Sequence, residues 1–281
     1  MRPRRHTLRI GWLAAVLFLS LVSFGVSTAC AADELMMATT TSTDNTGLLD
    51  YLAPHFTQSS GIDLKWMAVG TGKALKFGEN CDVDILMVHA PDAEKQYVEN
   101  GFGIDRREVM YNDFIIIGPA MDPSGIRGLK IHDALKQVRS RKGLFVSRGD
   151  NSGTNKKEIG LWKETGVPLP DKEDWYIQTG QGMLATINIA AERGGYTLTD
   201  RGTYIKYEDH HDGNPPLILL VEGDSVLRNQ YSVMIVNPDR CPTSKKDLAK
   251  QFSDWIVAPN AQKLIKDFKL LGKQLFIPNA K

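Results

Sequence analysis

Short apolar runs alternate with segments whose apolar residues recur every three or four positions along most of the chain. Apolar runs of this length are typical of buried strands, and the three-to-four spacing is typical of helices that pack on one side. The alternation therefore predicts an α/β architecture with largely parallel sheets, in which each unit is a strand, a polar turn and a helix.

The first unit shows this pattern clearly. Leu35–Ala38 is a predicted strand, residues 39–45 are a polar turn, and a helix follows that ends at Gly61. A glycine at this place is typical of a helix C-terminus. Later strands are predicted over residues 64–69, 84–88, 114–117, 144–146, 217–221 and 231–236, and helices over 91–100, 157–163, 183–192 and two C-terminal segments.

A change in composition predicts two lobes. From Asp122 the chain becomes rich in glycine and proline, and the apolar run 231–236 is suited to carry it back to the first lobe. We therefore expect one discontinuous lobe of residues 33–119 plus 231–281, a second lobe of residues 120–230, two connecting hinge strands, and a cleft between the lobes.

The N-terminal residues predict export. Four arginines precede an apolar run from Ile10 to Val26, and small residues follow, which is typical of a signal peptide; we assign it to residues 1–32 and expect a periplasmic protein. An uncleaved anchor and a lipid attached at Cys30 are the alternatives. Removal of residues 1–32 changes the formal charge from +1 to −3, which argues against a nucleic-acid partner.

Polar loops between strands and helices are the candidate site. They are the Thr39–Thr43 run, Gly70–Thr71–Gly72, Ser147–Thr154 and Gly180–Gln181–Gly182. In an open parallel sheet such turns meet at the carboxyl edge, where ligands bind. Helix N-termini offer unpaired N–H donors and a positive dipole, so this arrangement predicts a site for a small oxyanion.

The Ser147–Thr154 loop is the more specific of these signals. It contains Arg148, whose guanidinium fork suits oxyanions, before Ser152, Gly153 and Thr154 at a helix start. The Gly70–Thr71–Gly72 turn is not a Walker loop, because Met67 replaces its first glycine and Ala74 its Ser or Thr.

The remaining polar residues suggest no catalysis. We expect Asp44 to cap its helix and Asp150 to pair with Lys156, Lys157 or the turn backbone. The histidines lack metal-ligand spacing, and His210–His211 are expected to be solvated; the others considered are His55, His89 and His132. We find no nucleophile elbow and no Cys/His or paired-carboxylate set. Cys81 and Cys241 could form a disulfide or remain free thiols.

Six segments together resemble the family of periplasmic tungstate-binding components of tungstate ABC transporters. They are Thr39–Ser42, Val69–Gly72, Val109–Phe114, Ser147–Thr154, Gly180–Met183 and Tyr196–Thr203. The resemblance implies the type II periplasmic binding-protein fold, tungstate or molybdate as ligand, an inner-membrane permease as partner, and no cofactor or direct metal ligand. It assigns oxyanion contacts to Thr40, Thr41, Ser42, Arg148, Ser152, Gly153 and Thr154, and we add Thr71.

The residues alone leave other ligands open. Phosphate-binding proteins have a similar Arg and Ser-Gly-Thr loop, so a phosphate- or sulfate-binding protein is an alternative, as is an exported phosphoester-handling enzyme. We expect a monomer that binds and releases the anion without chemistry.

Overall fold

A computed structural model of the protein describes residues 33–281. The predicted signal peptide, with its alternatives at Cys30, lies outside the described residues. The strands are β1 (Glu34–Thr40), β2 (Asp63–Val69), β3 (Ile85–Val88), β4 (Gly103–Pro119), β5 (Phe145–Ser147), β6 (Tyr176–Gln178), β7 (Thr197–Asp200), β8 (Leu217–Val221), β9 (Arg228–Val236), β10 (Lys269–Leu270), β11 (Lys273–Gln274) and β12 (Ile277–Pro278). The helices are α1 (Thr41–Asp44), α2 (Leu48–Ser60), α3 (Thr71–Glu79), α4 (Pro91–Glu99), α5 (Ile131–Arg141), α6 (Gly153–Glu164), α7 (Met183–Arg193), α8 (Arg201–His210), α9 (Lys246–Val257) and α10 (Pro259–Asp267).

The sheets are mixed rather than largely parallel. The main sheet has the order β12-β4-β9-β3-β1-β2, and β7 and β8 also pair with β4. β1 is parallel to β2 and β3, as predicted, and β5 is parallel to β6, a strand that the apolar pattern did not predict. The prediction is wrong for β4 and β9, whose pairings are antiparallel. An apolar run indicates burial but carries no information about strand direction, so the sequence could not reveal this.

The central strands are buried on both faces. Ile85 and Met87 of β3 pack into one apolar cluster, and Leu86 and Val88 pack into another on the opposite face. Because successive side chains of a strand point to opposite faces, an unbroken apolar run here requires helices on both sides of the sheet. This layering places the carboxyl ends of β1, β2 and β3 along one edge.

A second pair of apolar clusters surrounds β5. Phe145 belongs to one of them and Val146 to the other. The long strand β4 connects the two parts of the fold: its Val109 packs in the cluster around β1 and β3, whereas its Ile116 packs in a cluster around β5. One strand therefore runs from one core into the other.

Helix α8 also contacts both parts. Ile205 is buried in the cluster that contains β1 and β3, while Tyr204 and Tyr207 are buried in a cluster that contains Val146. Its apolar residues therefore do not form a single stripe, and their spacing did not predict the helix.

Cys81 and Cys241 form a disulfide, with sulfur atoms 2.08 Å apart. This decides between the two alternatives left by the sequence. The bond ties the residues just after α3 to the loop after β9, so it anchors the helix whose first turn carries Thr71. Among residues 33–281, no helix combines the length and apolar character needed to cross a membrane.

Candidate functional site

All eight predicted contact residues line one cavity of about 880 Å³. Seven of them lie in the first turns of α1, α3 and α6 or at the residue before them, and Arg148 directly follows β5. The first turns of α7 and α8 line the same cavity. The helix N-termini therefore meet around it, and their unpaired N–H groups and dipoles favour an anion. The predicted residues are Thr40, Thr41, Ser42, Thr71, Arg148, Ser152, Gly153 and Thr154.

The first loop is a neutral group of hydroxyls. Thr40 caps α1, since its Oγ1 accepts a hydrogen bond from the Thr43 N–H at 3.2 Å. The same oxygen lies 2.7 Å from Thr43 Oγ1 and 3.0 Å from Ser42 Oγ. By contrast, the buried Thr39 hydroxyl donates to the Met87 carbonyl at 2.8 Å and is part of the framework.

His89 completes this first loop, although the sequence did not indicate it as part of a site. Its Nε2 lies 2.9 Å from Ser42 Oγ and 3.1 Å from Thr40 Oγ1, and its Nδ1 lies 2.9 Å from Asn229 Oδ1. Burial lowers the pKa of His89 below its ordinary value, which keeps the imidazole neutral at pH 7. One signal could have found it, because His89 directly follows β3 at the edge where the Thr run follows β1.

The second loop contains a cation, Arg148, and the carboxylate that pairs with it, Asp150. Ser152 caps α6, because its Oγ accepts from the Asn155 N–H at 3.3 Å. Arg148 Nη2 donates to Asp150 Oδ2 at 2.5 Å, and Asp150 Oδ1 accepts from the Ser152 N–H at 3.1 Å. Although burial acts against it, these hydrogen bonds and the Arg148 charge lower the pKa of Asp150 below its ordinary value. The loop therefore holds an ion pair.

One hydrogen-bond donor of the Arg148 side chain is unpaired among residues 33–281. Its Nε is buried and has no hydrogen-bond partner within the described part of the chain, while its side chain lines the cavity. A buried donor without a partner costs free energy, so an oxyanion that accepts from this N–H would relieve that cost.

The buried carboxylate of Glu158 holds the start of the second loop in place through Ser147. Glu158 accepts hydrogen bonds from Ser147 Oγ at 2.5 Å, from the Tyr176 hydroxyl at 2.6 Å and from Trp162 Nε1 at 3.2 Å. Burial raises the pKa of Glu158, and these donors oppose the rise. Asn155 extends the network, because its Nδ2 donates to Ser147 Oγ at 3.2 Å. The loop is thereby held at its base.

Of the two expectations about acidic residues, the one for Asp44 is wrong, and the one for Asp150 is confirmed for its backbone partner. Asp44 does not cap the predicted helix, because α2 begins at Leu48 after Gly47. Asp44 is instead the last residue of the short helix α1, and its Oδ1 accepts from Trp66 Nε1 at 2.7 Å. Asp150 does pair with the turn backbone, but its charged partner is Arg148 rather than a lysine, because Arg148 lies two residues away in the same tight turn. Within residues 33–281, neither carboxylate lines the cavity.

The cavity wall has more positive than negative charge. Four cationic residues line it, whereas Asp200 is the acidic residue found there in the described chain. Both Asp200 oxygens are used to start α8, since they accept from the Thr203 N–H at 2.9 Å and from Thr203 Oγ1 at 2.6 Å. The cations are Lys73, Arg148, Lys156 and Lys206. The field of the cavity wall therefore favours an anion.

Other histidines lie outside this site. His211 Nδ1 lies 2.9 Å from the Tyr207 carbonyl, and His132 Nε2 lies 2.9 Å from Glu164 Oε2. Across residues 33–281, no group of three or more His, Cys, Asp or Glu side chains is arranged to hold a metal ion.

Comparison with known proteins gives the family. A model of the PBP superfamily domain matches residues 26–260. The chain is 51% identical over 240 residues to the tungstate-binding protein TupA of Campylobacter jejuni, which covers 85% of this chain and 89% of that protein. The chain belongs to the TupA family of the PBP superfamily. This confirms the resemblance seen in the sequence and the two-lobed α/β fold that it implies.

Solved structures of the family agree. The tungstate-binding protein TupA from Desulfovibrio alaskensis G20 is 65% identical and superposes with a TM-score of 0.87, over 89% of this chain and all of that one. The tungstate ABC transporter structure from Geobacter sulfurreducens is 45% identical with a TM-score of 0.74, over 85% of this chain and all of that one.

Proposed function

We propose that this protein is an extracytoplasmic solute-binding protein that captures tungstate, with molybdate as a second ligand, and delivers it to the permease of an ABC transporter. The observation that carries the proposal is a cavity at which five helix N-termini, several hydroxyls and Arg148 present donors, while the Asp200 carboxylate in its wall already accepts two hydrogen bonds from Thr203. Its similarity to a tungstate-binding protein and to a tungstate ABC transporter structure supports the same ligand and the same transporter class.

The occupied carboxylates favour tungstate over phosphate. Tungstate and molybdate carry no proton at neutral pH, so every oxygen needs a donor. Phosphate is partly protonated and needs an acceptor for its hydroxyl. Asp150 pairs with Arg148 and Ser152 and does not line the cavity, and each Asp200 oxygen already accepts a hydrogen bond from Thr203, so a phosphate hydroxyl would have to share Asp200 with those donors.

The proposed mechanism is closure of two lobes on the anion. We assign residues 33–119 plus 231–281 to the first lobe and residues 120–230 to the second, with β4 and β9 as hinge strands. The Thr40–Ser42 loop then belongs to the first lobe and the Arg148–Thr154 loop to the second. A ligand that is held by both loops stabilises the closed state by its differential affinity.

The cellular setting follows from this mechanism. The protein would act in the periplasm as a monomer, with the permease in the inner membrane as its partner. It would bind without a chemical step and without a cofactor or nucleic acid.

A thermal-shift panel tests the proposal. The purified protein is heated with tungstate, molybdate, sulfate or phosphate at fixed ionic strength. Because a ligand at about 1,000 times its Kd adds about 4 kcal/mol to the free energy of unfolding, tungstate and molybdate should raise Tm clearly. A rise with phosphate or sulfate alone would reassign the ligand, and no rise with any of the four would refute oxyanion binding.

A further inference from the structure

The hydrogen bonds of Asn229 fix which nitrogen of His89 carries a proton. Asn229 Nδ2 donates to Asn112 Oδ1 at 2.8 Å and lies 3.3 Å from the Tyr231 hydroxyl, so its Oδ1 is the atom that faces His89 Nδ1. An amide oxygen only accepts, hence Nδ1 is the donor. In the neutral ring, Nε2 is then an acceptor aimed at Ser42 and Thr40.

Each hydroxyl has one hydrogen to give. Without an anion, Ser42 or Thr40 donates its hydrogen to His89 Nε2, which satisfies that buried acceptor. A fully deprotonated oxyanion also only accepts, so both hydroxyls turn their hydrogens to it when it binds. A buried Nε2 acceptor without a donor costs free energy.

We propose that capture of the oxyanion is coupled to the uptake of one proton by His89, whose Nε2–H then donates to Ser42 Oγ while Ser42 donates to the anion. This inference rests on the proposed function of the same site. The proton comes from solvent, so the dianion and the new imidazolium together add a charge of −1. In this series of hydrogen bonds, the anion accepts from Ser42 and Ser42 Oγ accepts from the imidazolium, so neither acceptor lacks a donor.

The surroundings of His89 decide the direction of the pH dependence. Burial is the main influence and lowers the pKa of His89 in the free protein, whereas the hydrogen bond to Asn229 and the charge of Asp200 oppose it. Tyr231 stacks on the ring with centroids 4.7 Å apart and stays protonated, because burial raises its pKa. His89 lines the same cavity as Lys73, Arg148, Lys156 and Lys206, and the negative charge of an oxyanion bound there would favour the imidazolium.

The sign follows from linkage. The bound anion raises the pKa of His89. The protonated imidazole therefore contributes fully to tungstate affinity below the pKa that His89 has in the free protein. This contribution is lost as pH rises through the pKa that His89 has in the complex. Tungstate affinity should therefore fall by up to about tenfold per pH unit between those two values.

Isothermal titration calorimetry with sodium tungstate measures the proton directly. The titration is run at pH 7.0 in PIPES, imidazole and Tris buffers, whose ionisation enthalpies differ. The slope of the observed enthalpy against the buffer enthalpy counts protons, and we expect uptake approaching one per anion. His89→Gln should still bind tungstate but with a slope near zero.

Two further variants serve as controls. His132→Gln makes the same substitution at an imidazole that pairs with Glu164, away from the cavity, and should keep the wild-type slope. Asn229→Asp places a carboxylate against Nδ1–H and should protonate His89 before the anion arrives, so the slope should also fall there. This variant tests the coupling even if His89→Gln does not fold.

The outcomes separate the coupling from the function. Tight tungstate binding with no proton uptake in the wild type, or with unchanged uptake in His89→Gln or in Asn229→Asp, overturns the coupling and leaves the proposed function intact. No tungstate binding by the wild type overturns both.

Discussion

The two main loops of the cavity present donors in different ways. The Thr40–Ser42 loop is uncharged and shares its hydrogens with His89, so those hydrogens can be redirected to a ligand. The Arg148–Thr154 loop has a fixed cation, which Asp150 neutralises locally and Glu158 supports through Ser147. We therefore call the Thr40–Ser42 loop the adaptable loop and the Arg148–Thr154 loop the rigid loop.

This difference predicts where affinity resides. A charge-assisted hydrogen bond contributes about 1.5–3 kcal/mol, whereas a neutral one contributes about 0.5–1.5 kcal/mol. The rigid loop should therefore dominate affinity, and the adaptable loop should adjust it. Each of the following substitutions tests one side of that comparison.

The largest effect is expected for Arg148→Glu. It removes the charged donor and places a carboxylate beside the dianion, so tungstate affinity should fall by more than about 100-fold, since each 1.4 kcal/mol is a factor of ten. Calorimetric titration measures the loss. Arg141→Glu makes the same charge change at an exposed residue outside the cavity wall and serves as the control. Undiminished affinity in Arg148→Glu would remove Arg148 from the site.

Glu158→Ala should come next, because it removes the support of the rigid loop. The buried hydroxyls of Ser147 and Tyr176 would lose their acceptor, which should lower the free energy of unfolding by about 2–3 kcal/mol and weaken tungstate binding. Urea denaturation and titration measure the two effects. Glu164→Ala lies on the same helix, where its exposed side chain contacts His132, and should change both values little. Equal behaviour of the two variants would contradict the supporting role.

Gly149→Ala should distort the same loop without changing its charge. Gly149 has a φ of +60°, and a Cβ at this position would lie 2.7 Å from Gln178 Cβ. Left-handed backbone costs a residue other than glycine roughly 1–2 kcal/mol, so we expect about tenfold weaker tungstate binding. Gly160→Ala is the matched control, because a Cβ there meets nothing within 4 Å. If Gly149→Ala bound as tightly as Gly160→Ala, the loop would not need its present backbone.

The smallest effect is expected for Ser42→Ala in the adaptable loop. One neutral hydroxyl is lost while Thr40 and the backbone donors remain, so tungstate affinity should fall by about tenfold or less. Ser140→Ala, at a hydroxyl that donates to the Gln137 carbonyl away from the cavity, is the control. A loss larger than that of Arg148→Glu would reverse the ranking of the two loops.

The same contrast explains what the sequence could predict. The rigid loop is a continuous segment with a distinctive composition, so Arg148, Ser152, Gly153 and Thr154 were found together. The adaptable loop depends on His89, which is 47 residues away from Ser42 and stands alone after a buried strand. Its position at the carboxyl end of β3 becomes meaningful only once β1 and β3 are known to be neighbours.

Other elements were missed for specific physical reasons. Helix α8 places Ile205 in one core and Tyr204 in another, so it lacks the single apolar stripe that periodicity detects. Helix α6 begins at Gly153, which confirms the helix start expected at Ser152–Thr154, although the predicted helical range of 157–163 omits this first turn, which faces the cavity. The capping role expected for Asp44 is wrong because Asp44 lies in a separate short helix, α1, and the predicted helix begins only at Leu48, after Gly47.

The most direct test of the account is a crystal structure of the protein with tungstate, using the anomalous scattering of tungsten to locate the anion. The account predicts one anomalous peak in the cavity, with oxygens of the anion within hydrogen-bond distance of both Ser42 and Arg148. A peak outside the cavity, or an anion held by one loop alone, would contradict it.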